Sequence, residues 1–453
     1  DNRLPSKGTI AFMSKNQFVT GNYHGYYTMR QNNEKVRKLE ETILVIVIIC
    51  VAMSLLIFGH PLTANDTDSY IEAWNAFASG QLSAKRTPVY PLVIGLASAI
   101  GGKAHMGFVI ILIQNFTASI AVWIFYKIAR RATNSQNVSF FSALFFASFS
   151  IYLLFRNWIL TESLALSGLL FLIYCTINIY DGKSKWNILG LTFWLLFLTF
   201  LRPSFLYLPP VLAVAFIIMI FKKKRQRKQA LYSLASVAFV TVCLLLYMTA
   251  FKSIYGVFTT TNIGMVNDTD MMLQTKDLNP NYSKDEKLKK YIKEMYEGKD
   301  VYYEMFDYIF AMPDYSDLEQ TIRKSKTLQN QLSNIGYRLR TCPGESLREH
   351  PGRSGILNFI NFAFFCGFLT IIIYGLALMV YIVKNRSLPW LPLLLLMLGA
   401  SNIIVVIIGA QAEWQRLVYP SKAIYLIMIV QLLLGAWRLF SRPPKTAGPP
   451  ALP

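Results

Sequence analysis

The chain has 453 residues, of which 54% are hydrophobic and only 15% charged, and its mean hydropathy is +0.37. An ordinary soluble domain is about 25% charged, so this composition excludes a soluble globular protein. The formal net charge of +20 does not indicate nucleic-acid binding, because Lys and Arg are grouped beside apolar segments, as in the run FKKKRQRK at 221–228. That placement is typical of the cytoplasmic anchors of a membrane protein.

The apolar segments have the length of membrane-spanning helices. About 20 helical residues cross the roughly 30 Å hydrocarbon core of a bilayer, and the alternating pattern of barrel strands is absent from this sequence. We therefore predict an all-α polytopic membrane protein with about ten transmembrane helices. The predicted spans are 42–59, 106–129, 138–155, 160–180, 187–201, 203–221, 229–251, 355–383, 389–410 and 417–440.

The spans and the polar stretches between them divide the chain into five segments. Because basic clusters mark the cytoplasmic side, both termini are expected inside. The short apolar stretch from Pro88 to Ile100 is then expected along the outer interface as a juxtamembrane helix. The predicted segments are a cytoplasmic N-terminal segment 1–41, an N-terminal transmembrane catalytic module 42–251 with an outer loop at 60–105, an outer insertion 252–354, C-terminal transmembrane helices 355–440 and a flexible tail 441–453.

Carboxylates and arginines recur in the predicted outer loops. The first outer loop contains Asp66, Asp68 and Arg86. The shorter outer turns contain Arg156, Glu162, Arg202, Glu413 and Arg416. A carboxylate at a membrane face can act as a general base, and arginines offer paired donors to phosphate. Any one of these residues could equally be a plain interfacial charge, but together they suit a phosphorylated lipid whose head group lies at the interface.

The first outer loop resembles a known family. From Asp66 the chain reads DTDSYIEAWNAFASGQLSAKRTPVYPLVIGL, which is similar to the first outer loop of C-type (GT-C) glycosyltransferases, in particular the bacterial group similar to protein mannosyltransferases and the aminoarabinose transferase of lipid A. In that group an acidic residue precedes a Tyr and an R-[TP]-P-x-Y-P turn. Further matches follow in the family's order, at LTES 160–163, LRP 201–203, EHP 349–351 and RLVYP 416–420. The resemblance covers residues 42–220 well and the rest loosely.

The resemblance implies an inverting transferase that uses a polyprenyl-phosphate sugar. Asp66 would be the catalytic base, with Asp68 as the alternative because the DTD spelling leaves the register open. With one base and no second carboxylate as nucleophile, the anomeric carbon would be inverted. The implied donor-phosphate ligands are Arg86, Arg202 and Arg416. The implied substrate-binding residues are Tyr70, Tyr90, Glu162, Arg156 and Glu413. Glu162 could instead orient an arginine or complement a helix N-terminus.

No cofactor is required by this chemistry, although Asp66 and Asp68 could hold a divalent cation as a D-x-D pair. The expected partners are the lipid-linked sugar donor, an acceptor that is a glycan, a lipid or a protein, and membrane lipids, with no nucleic acid. The resemblance further implies a bacterial plasma membrane with the active site facing outside.

Three other functions remain open from the sequence. A transporter or flippase of lipid-linked glycans would share the helices and the arginines, but such proteins place ionisable residues near the bilayer midplane. Here the predicted span centres are almost free of charge, and their notable polar residues are Gln114, Asn115 and Asn402. A glycan ligase or polymerase would suit the long outer insertion. A non-catalytic scaffold would tolerate any change at Asp66.

Overall fold

The computed structural model describes residues 22–148, 155–331, 354–409 and 418–440. Within these ranges the chain is built from helices, and a short bridge joins Leu62 and Trp158. The helices are α1 Asn22–Phe58, α2 Asn65–Ala78, α3 Val89–Thr133, α4 Gln136–Ser148, α5 Glu162–Tyr180, α6 Trp186–Leu201, α7 Leu208–Lys222, α8 Arg227–Tyr255, α9 Ile263–Gln274, α10 Glu286–Tyr296, α11 Tyr302–Phe310, α12 Ser316–Ser325, α13 Ser354–Asn385, α14 Trp390–Gly409 and α15 Lys422–Phe440.

The predicted all-α polytopic class is confirmed. Seven helical segments of the described chain are long and apolar enough to cross a membrane. They are Val89–Thr133, Glu162–Tyr180, Pro203–Lys222, Lys224–Tyr255, Gly367–Asn385, Trp390–Ile407 and Tyr419–Ala436. The other three predicted spans overlap α1, α4 and the shorter apolar helix α6. Each of the ten predicted spans thus overlaps one helix of the described chain.

A break in α3 separates the predicted juxtamembrane helix from the next span. The sequence predicts a separate helix over Pro88–Ile100, and α3 accordingly consists of two helices that meet at a kink. The helical path is broken at Gly102 alone, whose φ of 63° and ψ of 177° are not helical. Glycine can adopt this positive φ because it has no Cβ. The stretch before Gly102 is therefore a helix distinct from the span that follows, as the sequence predicts.

Helix α5 lies at the centre of the bundle. Nearly all of its residues are buried, and it packs against α3 on one side and α6 on the other. An apolar circumference would suit lipid equally well, but the small residues Ala165, Ser167 and Gly168 of α5 let neighbouring helices approach closely. The first residue of α5, Glu162, is also buried. The central helix consequently carries a carboxylate into the interior at one end of the bundle.

The segment after α8 forms a small helical subdomain of its own. Its helices α9 to α12 enclose a second cluster of buried apolar side chains, including Met272, Leu288, Ile309 and Leu318. Helix α10 begins at Asp285, whose side chain accepts hydrogen bonds from the first free backbone amides of the helix. The insertion is thus a folded body with its own core, to which Phe251 of α8 also contributes.

Candidate active site

The start of α2 is held against the segment that leads into α5. The Ala64 amide donates to Thr67 Oγ1 at 2.9 Å, and this hydroxyl donates in turn to the Ile159 carbonyl at 3.2 Å. The Ile159 amide donates to the Leu62 carbonyl at 2.8 Å. Because Asp66 lies in the first turn of α2, these contacts define its position relative to α5.

Asp66 forms an ion pair with Arg86. Arg86 Nη2 donates to Asp66 Oδ1 at 2.6 Å, and Arg86 Nε donates to Ser69 Oγ at 2.8 Å. Its third nitrogen, Nη1, lies 3.4 Å from the Tyr70 hydroxyl, and the guanidinium carbon lies 4.3 Å from the centre of the Tyr70 ring. Three side chains of one helix thus orient the guanidinium. The side chains of Arg86 and Asp66 remain 15% and 30% exposed, so both can be reached from outside the protein.

Two tyrosines form the floor beneath this ion pair. The rings of Tyr70 and Tyr90 meet edge to face, with centroids 4.8 Å apart, and both side chains are buried. Helices α2 and α3 approach closely here, because a Cβ added at Gly95 would lie 2.4 Å from the ring of Trp74. The close approach positions Tyr90, which follows the RTPVYP turn, against the helix that carries Asp66.

A second ion pair joins α5 to the end of α6. Arg202 Nη1 donates to Glu162 Oε1 at 3.3 Å. Pro203 disfavours helical geometry at the preceding residue, and Arg202 is accordingly extended, with φ −149° and ψ 135°. The side chains of Arg202 and Glu162 are 9% and 0% exposed. This pair is therefore much less accessible than the pair of Asp66 and Arg86.

Two contacts connect the ion pairs. Thr87, the neighbour of Arg86, donates from Oγ1 to the carbonyl of Leu201, the neighbour of Arg202, at 3.1 Å. Tyr90 contacts Tyr70 and lies close enough to Glu162 for an electrostatic interaction. The structure thus brings together six of the residues singled out from the sequence. They are Asp66, Tyr70, Arg86, Tyr90, Glu162 and Arg202.

The other sequence candidates are placed differently. Asp68 is exposed on α2, and residues two positions apart on a helix point about 200° away from each other, so Asp66 and Asp68 do not face a common cation as the D-x-D pair would require. Arg156, expected on a surface turn, is 1% exposed, and its carbonyl accepts a hydrogen bond from Gln114. Glu413 and Arg416 lie outside the described residues, as does the 349–351 motif.

The sequence did not reveal how the insertion holds the segment before Arg86. The Tyr255 hydroxyl donates to the Leu82 carbonyl, and the Asn262 amide donates to the Ala84 carbonyl at 2.8 Å. Residue 255 ends the last span before the insertion, and residue 262 precedes α9. These hydrogen bonds go to backbone atoms, so no residue type at 82–84 signals them in the sequence.

The chain is an integral membrane protein whose fold is similar to that of GT-C proteins, and two comparisons confirm the resemblance seen in the sequence. Residues 85–251, less than half of the chain, match the family model described as dolichyl-phosphate-mannose-protein mannosyltransferase. This range contains Arg86, Tyr90, Glu162 and Arg202. No curated protein matches.

The second comparison is with a solved structure. The oligosaccharyltransferase of Archaeoglobus fulgidus, solved with a tethered acceptor peptide containing the NVT sequon, superposes with a TM-score of 0.51 at 10% identity. The match covers 89% of this chain and 50% of that chain, so this protein spans about half the length of the archaeal enzyme. At this identity the likeness establishes the shared fold.

Proposed function

We propose that the protein is an inverting glycosyltransferase that moves a sugar from a polyprenyl-phosphate carrier to an acceptor at the outer face of a membrane. The observation that carries the proposal is the partly exposed ion pair of Asp66 and Arg86. It places a carboxylate and a guanidinium side by side at one end of a GT-C helical bundle. The matching family model, named for a dolichyl-phosphate-mannose-dependent mannosyltransferase, supports a lipid-linked donor.

Asp66 is the proposed base. The acceptor hydroxyl oxygen attacks the anomeric carbon, its proton passes to the Asp66 carboxylate, and the bond from that carbon to the carrier phosphate breaks with its electron pair on the phosphate oxygen. General base catalysis of this kind contributes about 10²–10⁴-fold to rate. Asp66 suits the role better than Glu162, since its side chain is 30% exposed and that of Glu162 is fully enclosed.

Arg86 is the proposed electrostatic partner of the leaving phosphate. Its guanidinium is oriented by Asp66, Ser69 and Tyr70 before any ligand binds, and a preorganised cation stabilises developing charge without reorganisation. Arg202 is enclosed and paired with Glu162, so we assign it to shaping the donor site beside the Thr87 contact. Arg416 remains a proposed third phosphate ligand, with Glu413 and Arg156 as proposed substrate contacts.

The expected location is a bacterial plasma membrane, with both termini in the cytoplasm and the ion pairs facing outside. A nucleotide sugar made in the cytosol would not reach such a site, whereas a flipped lipid-linked sugar would lie beside it in the leaflet. A divalent cation is compatible with the proposal and is not needed for the proton transfer. Binding of this donor requires a groove between helices that accommodates its prenyl chain.

The test is sugar transfer by purified protein in liposomes, with a panel of radiolabelled polyprenyl-phosphate sugars. Asp66→Asn is expected to lower turnover at least about a hundredfold while the variant still binds donor lipid. The matched control is Asp68→Asn on the same helix, which should keep nearly full turnover. Equal turnover by both variants and the wild type would refute Asp66 as the base. Movement of intact donor lipid across the bilayer without transfer would favour the flippase.

A further inference from the structure

A basic cavity lies at the end of the bundle opposite the proposed active site. It has a volume of about 320 Å³ and is formed where α3 and α5 end. Helix α5 begins at Glu162 and has 19 residues, and Asp181, which follows it, lines the cavity. At 1.5 Å per residue this helix is about 28 Å long, close to the thickness of the hydrocarbon core. The two sites are therefore separated by the length of a membrane span.

The cavity carries more positive than negative charge. Its four cationic side chains are Lys127, Arg130, Arg131 and Lys183. Two carboxylates balance them in part. Glu41 on α1 lies 3.1 Å from Lys127 Nζ and 3.8 Å from Arg130 Nη1, and Asp181 accepts three hydrogen bonds from Arg131. Lys183 Nζ donates to the amide oxygen of Asn178 at 3.0 Å. Four cations facing two carboxylates leave an excess that suits an anion.

A second basic segment packs beside the cavity. Gln229, at the start of α8, donates to the Lys183 carbonyl at 3.2 Å. Lys223 Nζ lies 4.8 Å from the centre of the Tyr180 ring at the end of α5. The run FKKKRQRK at 221–228 is thus adjacent to the cavity mouth. The local field is set by both segments and draws anions toward this end of the bundle.

Part of the cavity wall is apolar. Ile128, Tyr174 and Ile177 line it together with the cations, and they belong to the transmembrane helices α3 and α5. An inorganic anion would gain nothing from such a wall, whereas a lipid would place its phosphate among the cations and its glycerol and first methylene groups against the isoleucines. Cations at a helix C-terminus also stabilise the helix itself, but that role requires no cavity.

We propose that this cavity binds the phosphate group of an anionic phospholipid, on the membrane face opposite the proposed active site. Basic pockets between transmembrane helices are suited to such head groups, and each Lys or Arg near the surface contributes appreciably to the attraction. The lipid would bridge α3, α5 and the 221–228 segment. Binding is independent of sugar transfer, so the two proposals fail or succeed separately.

The test is retention of lipid by the full chain after detergent purification, measured by native mass spectrometry. Protein is exchanged into mixed micelles of phosphatidylglycerol and phosphatidylcholine. The wild type should retain phosphatidylglycerol in preference to phosphatidylcholine. Lys183→Gln and Lys127→Gln should each lower that retention about fivefold, the effect of losing one interfacial cation. The control Lys185→Gln removes an exposed lysine that does not line the cavity and should retain the lipid normally.

Two results would overturn the proposal. One is equal retention of both lipids by the wild type, and the other is equal loss of phosphatidylglycerol in the control and in the cavity variants. A parallel melting experiment with inorganic phosphate in place of lipid separates the two sources of the anion. If phosphate alone raises the melting temperature of the wild type and Lys185→Gln but not of Lys183→Gln, and phosphatidylglycerol does not, the site is for a soluble anion. Melting curves without ligand verify that every variant is folded.

Discussion

Replacing Arg86 with lysine is the substitution that most directly tests the geometry of the proposed site. The variant keeps the positive charge beside Asp66 but removes the planar fork. In the wild type, the guanidinium of Arg86 donates hydrogen bonds to Asp66 and Ser69 and stacks over the ring of Tyr70. A lysine ammonium is a point charge on a flexible stem and cannot maintain this set of contacts together.

The expected loss can be estimated from those contacts. Lysine should retain the charged contact with Asp66 and lose the hydrogen bond to Ser69 and the stacking on Tyr70. Each lost contact is worth about 1 kcal/mol, so the free energy that holds the cation in its orientation would fall by about 2 kcal/mol. If the whole of this loss raises the activation free energy of sugar transfer, turnover should fall about thirtyfold.

The assay is initial-rate sugar transfer in liposomes at saturating donor and acceptor. Tyr70→Phe is the matched control, because it keeps the ring under the guanidinium and loses only the hydroxyl contact at 3.4 Å. A contact of that length is weak, and we expect a loss of no more than about threefold. If Arg86→Lys keeps wild-type turnover while Arg86→Gln is inactive, charge alone is sufficient and the argument from fork geometry is wrong.

Two further predictions concern packing and pH. Gly95→Ala should destabilise the protein and lower sugar transfer, although alanine favours helix by about 1 kcal/mol over glycine, because its Cβ would lie 2.4 Å from the Trp74 ring. Burial raises the pKa of Asp270 from its ordinary value of 3.8, against hydrogen bonds from Tyr302 and Gln274 that lower it. The folded insertion therefore binds more protons than the unfolded chain, so its stability should fall as pH rises through the raised pKa. Asp270→Asn should remove that pH dependence, as measured by hydrogen exchange of α9 amides corrected for intrinsic rates.

Each of these two predictions has a matched control: Gly264→Ala for Gly95→Ala, and Asp307→Asn for Asp270→Asn. Gly264→Ala adds a Cβ to a helix where nothing lies within 4 Å, so it should not lower the melting temperature and should leave transfer unchanged. Asp307→Asn removes an exposed carboxylate from α11 and should preserve the pH dependence. Wild-type stability in Gly95→Ala would contradict the close approach of α2 and α3. A pH slope that survives in Asp270→Asn would assign the titration to another group.

The positions of the helices could be predicted because each apolar segment carries its own signal. A run of about 20 apolar residues specifies a spanning helix whatever surrounds it. The break at Gly102 was less predictable, since a glycine within an apolar stretch can also continue a helix at modest cost. Only the packing of residues 89–101 against α2 requires the chain to turn there. The sequence therefore predicts the two helices at 88–100 and 106–129 but not the single residue at which they meet.

The candidate site was predictable to the extent that its residues lie close in sequence or in a known motif. Asp66, Tyr70 and Arg86 fall within one outer loop, and their contact follows once α2 folds back on the RTPVYP turn. The pairing of Glu162 with Arg202 depends on how α5 packs against α6, which the residue pattern does not encode. The burial of Arg156 was missed for the same reason, because a charge next to an apolar segment resembles an interfacial anchor.

The hydrogen bonds from Tyr255 and Asn262 to the backbone at Leu82 and Ala84 affect how this protein can be re-engineered. A chimaera that takes its insertion from another protein would also need the matching residues 82–84, because the two segments fit each other through main-chain geometry. An exchange of the insertion therefore has to include a second segment that is far from it in sequence. Grafting either one alone should shift Arg86, which lies two residues beyond the second anchor point.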